Sequence, residues 1–192
     1  MDLHDRHGHR KYLTAGEWRS FLDASLLATP EVGTFCGALA YSGCRISEAL
    51  ALTASRVDLG DGLLIFESLK KRRKGVFRAV PVPPAFLRRL DHVHEIEVAR
   101  LDQNLGRGAF LWNWCRATAW RRVCEVMDIA GIAGLHATPK GLRHGFGIRA
   151  ISSGVPLNMA QKWLGHSQIS TTAIYADATG SEERAIAERM WD

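Results

Sequence analysis

The chain has 192 residues, 46% of them hydrophobic and 23% charged, which predicts one domain with a substantial apolar core. No apolar stretch approaches the roughly 20 residues of a membrane-spanning helix, and the polar start MDLHDRHGHR is unlike a secretory signal. The four cysteines show no paired ligand spacing, so we expect a cytoplasmic protein with free thiols, no metal site and no cofactor. The formal net charge is +5.

The first third of the chain is predicted to be helical. Residues 1–11 indicate a disordered or linker tail, because their histidines are too loosely spaced for a metal site. Thr14 and Glu17 have capping-box spacing. The apolar stripe that follows at helical spacing is Trp18, Phe21, Leu22 and Leu26. A second helix is predicted over residues 30–43, and a short third one begins at Arg45.

A basic run dominates the next segment. Residues 56–82 predict two or three short antiparallel strands, and KKRRKGVFR, which spans residues 70–78, lies between the strand-like LLIFES and FRAVPVP. This run predicts the tip of a β-hairpin that contacts the DNA backbone, since neutralised phosphates release counterions. The alternative is a solvated loop. The residues predicted to contact DNA are Lys71, Arg72, Arg73, Lys74 and Arg78.

Helices are predicted again in the second half. One follows Pro83-Pro84, with Phe86, Leu87, Leu90 and Val93 as its buried face, and another spans about residues 116–129. Trp112, Trp114 and Trp120 are expected in the core rather than stacked on bases. Residues 181–191, SEERAIAERMW, predict an amphipathic helix. This helix would pack either on its own domain or on a neighbouring subunit.

Three distant segments place basic side chains and a tyrosine beside glycine breaks: YSGCRISEALAL, ATPKGLRHGFGIRA and LGHSQISTTAIYA. The residues are Arg45 and Glu48 in the first, Lys140, Arg143 and His144 in the second, and His166 and Tyr175 in the third. The polar residues before Tyr175 predict that its hydroxyl faces something other than the core. The alternative is a helix-surface tyrosine with His166 at a helix C-cap. Together the segments predict an anion-binding site.

The order and separation of these motifs resemble the catalytic domain of the tyrosine recombinase family, also called phage integrases, over about residues 12–191. The resemblance rests on the G-x-R-x-x-E box, the R-H pair, and L-G-H followed nine residues later by tyrosine. It implies a mainly α fold with a small three-stranded antiparallel β-sheet (α+β), with residues 12–192 as a single catalytic domain. Many relatives carry an additional N-terminal core-binding domain, which we expect this chain to lack, as either a naturally short or a truncated recombinase.

The resemblance also implies a DNA strand transferase that works through a 3′-phosphotyrosine intermediate. Tyr175 is the expected nucleophile, and a phosphodiester becomes electrophilic only when its non-bridging oxygens are neutralised. Arg45 and Arg143 would clamp the scissile phosphate, because guanidinium groups bind phosphate bidentately and stay protonated. Glu48 would orient Arg45.

Proton transfers are assigned by the same resemblance. His144 and His166 would donate hydrogen bonds to phosphate oxygens or help position the proton transfers. A hairpin lysine is the family's usual general acid, and Lys70 is chosen because the sheet should hold it. Lys140 occupies a position that is commonly histidine in the family; it can donate to a phosphate oxygen but is a poorer base at neutral pH.

The expected partner is double-stranded DNA, with a homotetramer on two duplexes during strand exchange and a monomer compatible with free solution. Two alternatives remain open at this point. One is a type IB topoisomerase-like enzyme, and the other is a catalytically impaired DNA-binding regulator of the same fold.

Overall fold

The computed structural model describes residues 3–68, 75–101, 109–176 and 187–188. The helices are α1 (Ala15–Leu27), α2 (Pro30–Ser42), α3 (Ile46–Leu50), α4 (Pro84–His94), α5 (Ile96–Leu101), α6 (Arg116–Ile129), α7 (Pro139–Ser152), α8 (Leu157–Leu164) and α9 (Ser170–Ala173). The strands are β1 (Val57–Asp58), β2 (Leu63–Glu67) and β3 (Phe77–Pro81). The expected fold class, mainly helical with a three-stranded antiparallel sheet, is confirmed.

Helix α1 begins where the sequence predicts, with the Thr14 side chain and Glu17 forming the reciprocal capping box. Its buried stripe differs from the prediction, since Leu26 is 61% exposed while Ala24 and Ser25 face the core. Helix α2 crosses here so closely that a Cβ on Gly33 would lie 2.6 Å from the Ser25 carbonyl oxygen. Only small side chains fit at this crossing, so the larger leucine points to solvent.

The sheet has the order β1-β2-β3, and all its pairs are antiparallel. Its alternation puts Leu64 and Phe66 of β2 on the core face opposite Val80 and Arg78 of β3. Arg78 was expected at an exposed hairpin tip, but it lies within β3 and is only 6% exposed. A charged side chain on a core-facing position requires a buried partner.

Two further expectations are wrong in part: the single helix after Pro83 and the burial of Trp120. The helix after Pro83 breaks at Glu95, whose φ of 47° separates α4 from α5, and the Asp91 carboxylate accepts a hydrogen bond from the Glu97 amide at 2.9 Å. Trp112 is buried, as predicted, whereas Trp120 on α6 is 49% exposed. None of the described helices is both long and apolar enough to cross a bilayer.

Residues 3–11, expected as a disordered or linker tail, form a closed loop. The Lys11 amide donates to the Leu3 carbonyl at 2.8 Å, and the Asp5 carboxylate accepts two backbone hydrogen bonds inside the loop. Leu3 and Tyr12 are buried in a cluster with Phe146 of α7 and with Tyr175. This apolar contact holds the loop against the helix that carries the second motif.

Candidate active site

The first motif is held by one buried carboxylate. Glu48 is 2% exposed, and it accepts hydrogen bonds from the backbone amide and Nη1 of Arg45, both at 2.8 Å. Arg78 donates from the other side, with Nη2 2.7 Å from Oε2 and Nη1 3.2 Å from Oε1. Burial alone would raise the pKa of Glu48, but the hydrogen bonds and charge of Arg78 and Arg45 hold it below its ordinary value. The carboxylate is therefore ionised and fixes two arginines.

Arg143, from the second motif, joins the other two. Its Nη1 donates to the Gly43 carbonyl at 2.6 Å, and its Nη2 donates to the Leu164 carbonyl at 2.7 Å. Burial, with the nearby positive charge of Arg45, lowers the pKa of Arg143 to about 10, so it stays protonated at neutral pH. A guanidinium has five N–H donors, and these two bonds leave others for a ligand.

The end of helix α8 is capped by two guanidinium groups. Arg143 takes the Leu164 carbonyl, and the Arg78 Nε donates to the preceding carbonyl, that of Trp163, at 2.7 Å. The last carbonyls of a helix have no partner inside the helix and carry partial negative charge. The cap binds both arginines to the carbonyls that immediately precede Gly165 and His166, at the start of the third motif.

Tyr175 is 1% exposed, so the alternative of a helix-surface tyrosine is wrong. Its ring packs on α7 where Gly147 leaves space, since a Cβ there would lie 2.5 Å from the ring. The hydroxyl lies 3.1 Å from Nδ1 of His144. Burial raises the pKa of Tyr175, against the lowering effect of Arg143 and Arg45. The tyrosine is thus protonated at neutral pH.

Both histidines are neutral at neutral pH. Burial and the positive charges of Lys140, Arg143 and Lys11 lower the pKa of His144 to about 4. Its Nε2 is buried without a hydrogen-bond partner, so His144 has one nitrogen available to a group that enters the site.

His166 stacks on the tyrosine ring at a centroid distance of 6.2 Å, and its Nδ1 lies 2.9 Å from the Thr172 hydroxyl. Burial and the charge of Arg143 lower its pKa to about 3. The guanidinium groups of Arg143, Arg45 and Arg78 act on it, so the local charge is positive and favours an anion.

The remaining predicted residues divide into two groups. Lys140 is exposed on the first turn of α7, whereas Arg143, three residues later, is buried. The basic residues of the hairpin, Lys70, Lys71, Arg72, Arg73 and Lys74, lie outside the described residues, as does most of the expected C-terminal helix over 181–191. Among the described residues, no cluster of His, Cys, Asp or Glu could hold a metal ion.

Sequence reasoning missed the burial of Arg78 because it treated the basic run as one unit. The alternation in FRAVP was the available signal. Arg78 and Val80 lie on the same face of β3, and their partners on β2, Phe66 and Leu64, are core residues. The contact between His144 and Tyr175 had no sequence signal, because 31 residues separate the two.

A family model described as "Phage integrase family" matches residues 11–182. The chain belongs to the phage integrase family. Tyrosine recombinase XerD of Pseudomonas aeruginosa is 31% identical over 167 residues, which cover 79% of this chain and 53% of that protein. The chain thus spans about half the length of the curated relatives it matches.

Solved structures give the same fold. The crystal structure of XerA recombinase matches with a TM-score of 0.77 at 24% identity, over 93% of this chain and 64% of that one. XerH site-specific recombinase bound to its difH substrate matches with a TM-score of 0.74 at 17% identity, over 98% of this chain and 60% of that one. This phage integrase family member therefore has the fold of these recombinases over nearly its whole length.

Proposed function

We propose that the chain is the catalytic part of a site-specific DNA recombinase that cleaves and rejoins strands through a 3′-phosphotyrosine, in integration, excision or inversion. One observation carries the proposal: Arg143 bonds to backbone carbonyls of the first and third motifs. Three distant segments are thereby assembled around one cationic site that contains a tyrosine. This arrangement suits phosphoryl transfer to a hydroxyl nucleophile.

Arg45 and Arg143 bind the non-bridging oxygens of the scissile phosphate. Arg45 keeps 23% of its side chain exposed while Glu48 fixes its orientation, so its guanidinium is accessible and preorganised. Preorganised donors lower the barrier most where charge develops, which here is the pentacoordinate phosphorus. His166 lies beside the same guanidinium groups and donates a further hydrogen bond to a phosphate oxygen.

The Tyr175 oxygen attacks phosphorus as the bond to the 5′ oxygen breaks. The phenolic proton is taken up by Nδ1 of His144, which already faces the hydroxyl. The departing oxygen takes a proton from a hairpin lysine, for which Lys70 remains our assignment. Lys140 contributes charge at the rim instead of acting as the base. The phosphotyrosine retains the bond energy, so a 5′ hydroxyl of another strand can reverse the step. No metal or cofactor takes part in this scheme.

DNA binding must also release the tyrosine. A side chain that is 1% exposed cannot reach a phosphodiester, so residues 169–176 must shift when a duplex binds. The bound phosphate supplies the negative charge that the site lacks. Cleavage therefore requires a bound DNA duplex.

The partner is double-stranded DNA, and XerH, one of the structural relatives, is described in complex with its DNA substrate. The hairpin residues Lys71 to Lys74 contact the backbone in this proposal, while Arg78 does not, because Glu48 and the Trp163 carbonyl occupy its donors. Strand exchange would take a homotetramer on two duplexes, in the cytoplasm, with the C-terminal helix docked on a neighbouring subunit.

Covalent trapping tests the proposal. The chain is incubated with a nicked duplex built from the DNA that flanks its own gene, which we call the nicked substrate. Wild type is compared with Tyr175→Phe on a denaturing gel. We expect a protein–DNA adduct with wild type and none with the variant. Binding without an adduct would favour the regulator, and relaxation of a supercoiled plasmid without specific sites would favour a topoisomerase-like enzyme.

A further inference from the structure

We propose that Arg78 is a positioning residue for the phosphate clamp and that Gly165 exists to leave it room. This inference rests on the proposed function. Arg78 lies on β3. Its guanidinium binds Glu48, and Glu48 in turn binds Arg45, which is expected to touch DNA. It links three of the structural pieces around the site: the sheet, helix α3 and the end of helix α8.

The contacts of Arg78 define a geometry rather than a charge alone. Its two terminal nitrogens hold both oxygens of Glu48, and the same carboxylate holds the backbone and Nη1 of Arg45. Arg45 reaches both oxygens of Glu48 from one side, and Arg78 is the partner that the structure describes on the other side, so Arg78 completes the set of contacts that fixes the carboxylate. The orientation of Arg45 therefore depends on Arg78.

The third donor of Arg78 links this chain of contacts to the tyrosine segment. Its Nε donates to the Trp163 carbonyl at 2.7 Å, which fixes the last turn of α8 just before His166. The neighbouring strand β2 also anchors the guanidinium, because the Cζ atom of Arg78 lies 5.2 Å from the centroid of the Phe66 ring. One side chain thus sets the distance between the Arg45 clamp and the His166 side of the site.

Stability does not explain such a pair. Removing two charges from water costs about as much as their attraction returns, and apolar replacements of buried ion pairs are often neutral or stabilising. Arg78 and Glu48 are 5% and 1% exposed at their side chains. What the pair does provide is a fixed bidentate orientation, which a phosphate clamp requires.

Gly165 borders the Arg78 guanidinium and leaves it room. A Cβ at this position would lie 3.0 Å from both Cζ and Nη1 of Arg78. Its φ of 66° also favours glycine. The glycine of the L-G-H motif therefore has two functions, the helix end and the space for the guanidinium beneath it.

Two variants separate this role from folding. Arg78→Lys keeps the charge, but its single nitrogen cannot replace the planar fork that spans Glu48 and the Trp163 carbonyl. Gly165→Ala moves Arg78 without changing it. One matched control is Arg56→Lys, which alters an arginine just before β1 that pairs with Glu67 of β2. The other is Gly131→Ala, at a glycine with nearly the same φ, 68°, but open space around it. All four should be checked for folding by circular dichroism.

The readout is the single-turnover rate of adduct formation on the nicked substrate. A displacement of about 1 Å in a positioned group costs roughly a hundredfold in rate, so we expect a loss of that order for Arg78→Lys. We expect a smaller loss for Gly165→Ala, whose Cβ displaces Arg78 by less, and unchanged rates for the controls. An adduct with wild type is required first; its absence would contradict the proposed function and not this inference.

Modified substrates identify the route. A methylphosphonate at the scissile position is neutral, so it needs the clamp less, and the defect of Arg78→Lys should shrink at least tenfold on it. A 5′-bridging phosphorothiolate needs no general acid, because a thiolate leaves unprotonated. Rescue by the phosphorothiolate alone would mean that Arg78 acts through the hairpin, and rescue by neither would mean a merely structural role. Both results would overturn the proposal.

Discussion

Substitution of Gly147 by alanine tests whether the fit of Tyr175 against α7 holds the nucleophile in its buried position. A Cβ at residue 147 would lie 2.5, 2.6 and 2.7 Å from three ring carbons of Tyr175, whereas carbon atoms pack best at roughly 3.5–4.0 Å. The ring must therefore move by about 1 Å. The residue is interior to α7, so the backbone cannot move in its place.

Two effects oppose each other in this variant. Alanine inside a helix is favoured over glycine by about 0.5–1 kcal/mol, and overpacking a buried site costs about 1–3 kcal/mol. The overlap involves a rigid ring that is 1% exposed, so the overpacking should win. We expect a net loss of about 1–2 kcal/mol in the free energy of unfolding, with the tyrosine displaced toward solvent.

The assay pairs urea denaturation with nitration of tyrosines by tetranitromethane, mapped by mass spectrometry. Nitration of Tyr175 should be slow in wild type and fast in Gly147→Ala, because an exposed phenol also regains its ordinary pKa. Gly16→Ala is the control, since the nearest atom to its new Cβ is 4.0 Å away. Increased stability of Gly147→Ala with Tyr175 still protected would refute the reasoning.

Three further predictions concern stability. Burial lowers the pKa of His144 from 6.5 to about 4, so the unfolded chain takes up this proton at a higher pH than the folded chain. The free energy of unfolding should therefore decrease as the pH falls below about 6.5, by about 2 kcal/mol at pH 5. Urea titrations of His144→Gln should show a smaller decrease. Glu17→Gln removes the ion pair with Arg10 and weakens the cap of α1, so we expect about 1 kcal/mol lost and faster hydrogen exchange in residues 3–11. Arg149→Lys loses the stacking of a guanidinium 3.5 Å from the Trp18 ring, at about 1 kcal/mol; an unchanged urea midpoint would contradict it.

Local chemistry in the sequence determined most of the elements. The capping box at Thr14, the helix starts at Pro30 and Pro139 and the glycine at residue 43 all act within one turn, so their effect can be read without knowing the fold. The motifs that resemble tyrosine recombinases likewise lie in short segments, and they carried the family, the fold class and the candidate residues.

Only the tertiary structure decided how those residues meet. Arg78 is one of six basic residues in a run of nine. The alternation in FRAVP puts it on the same strand face as Val80, but nothing local says that this face meets Glu48, 30 positions away. Tyr175 follows a polar segment, yet the absence of a side chain at Gly147 lets α7 bury it. In both cases the deciding contact joins distant segments, where burial and hydrogen bonding outweigh the polarity of neighbours in sequence.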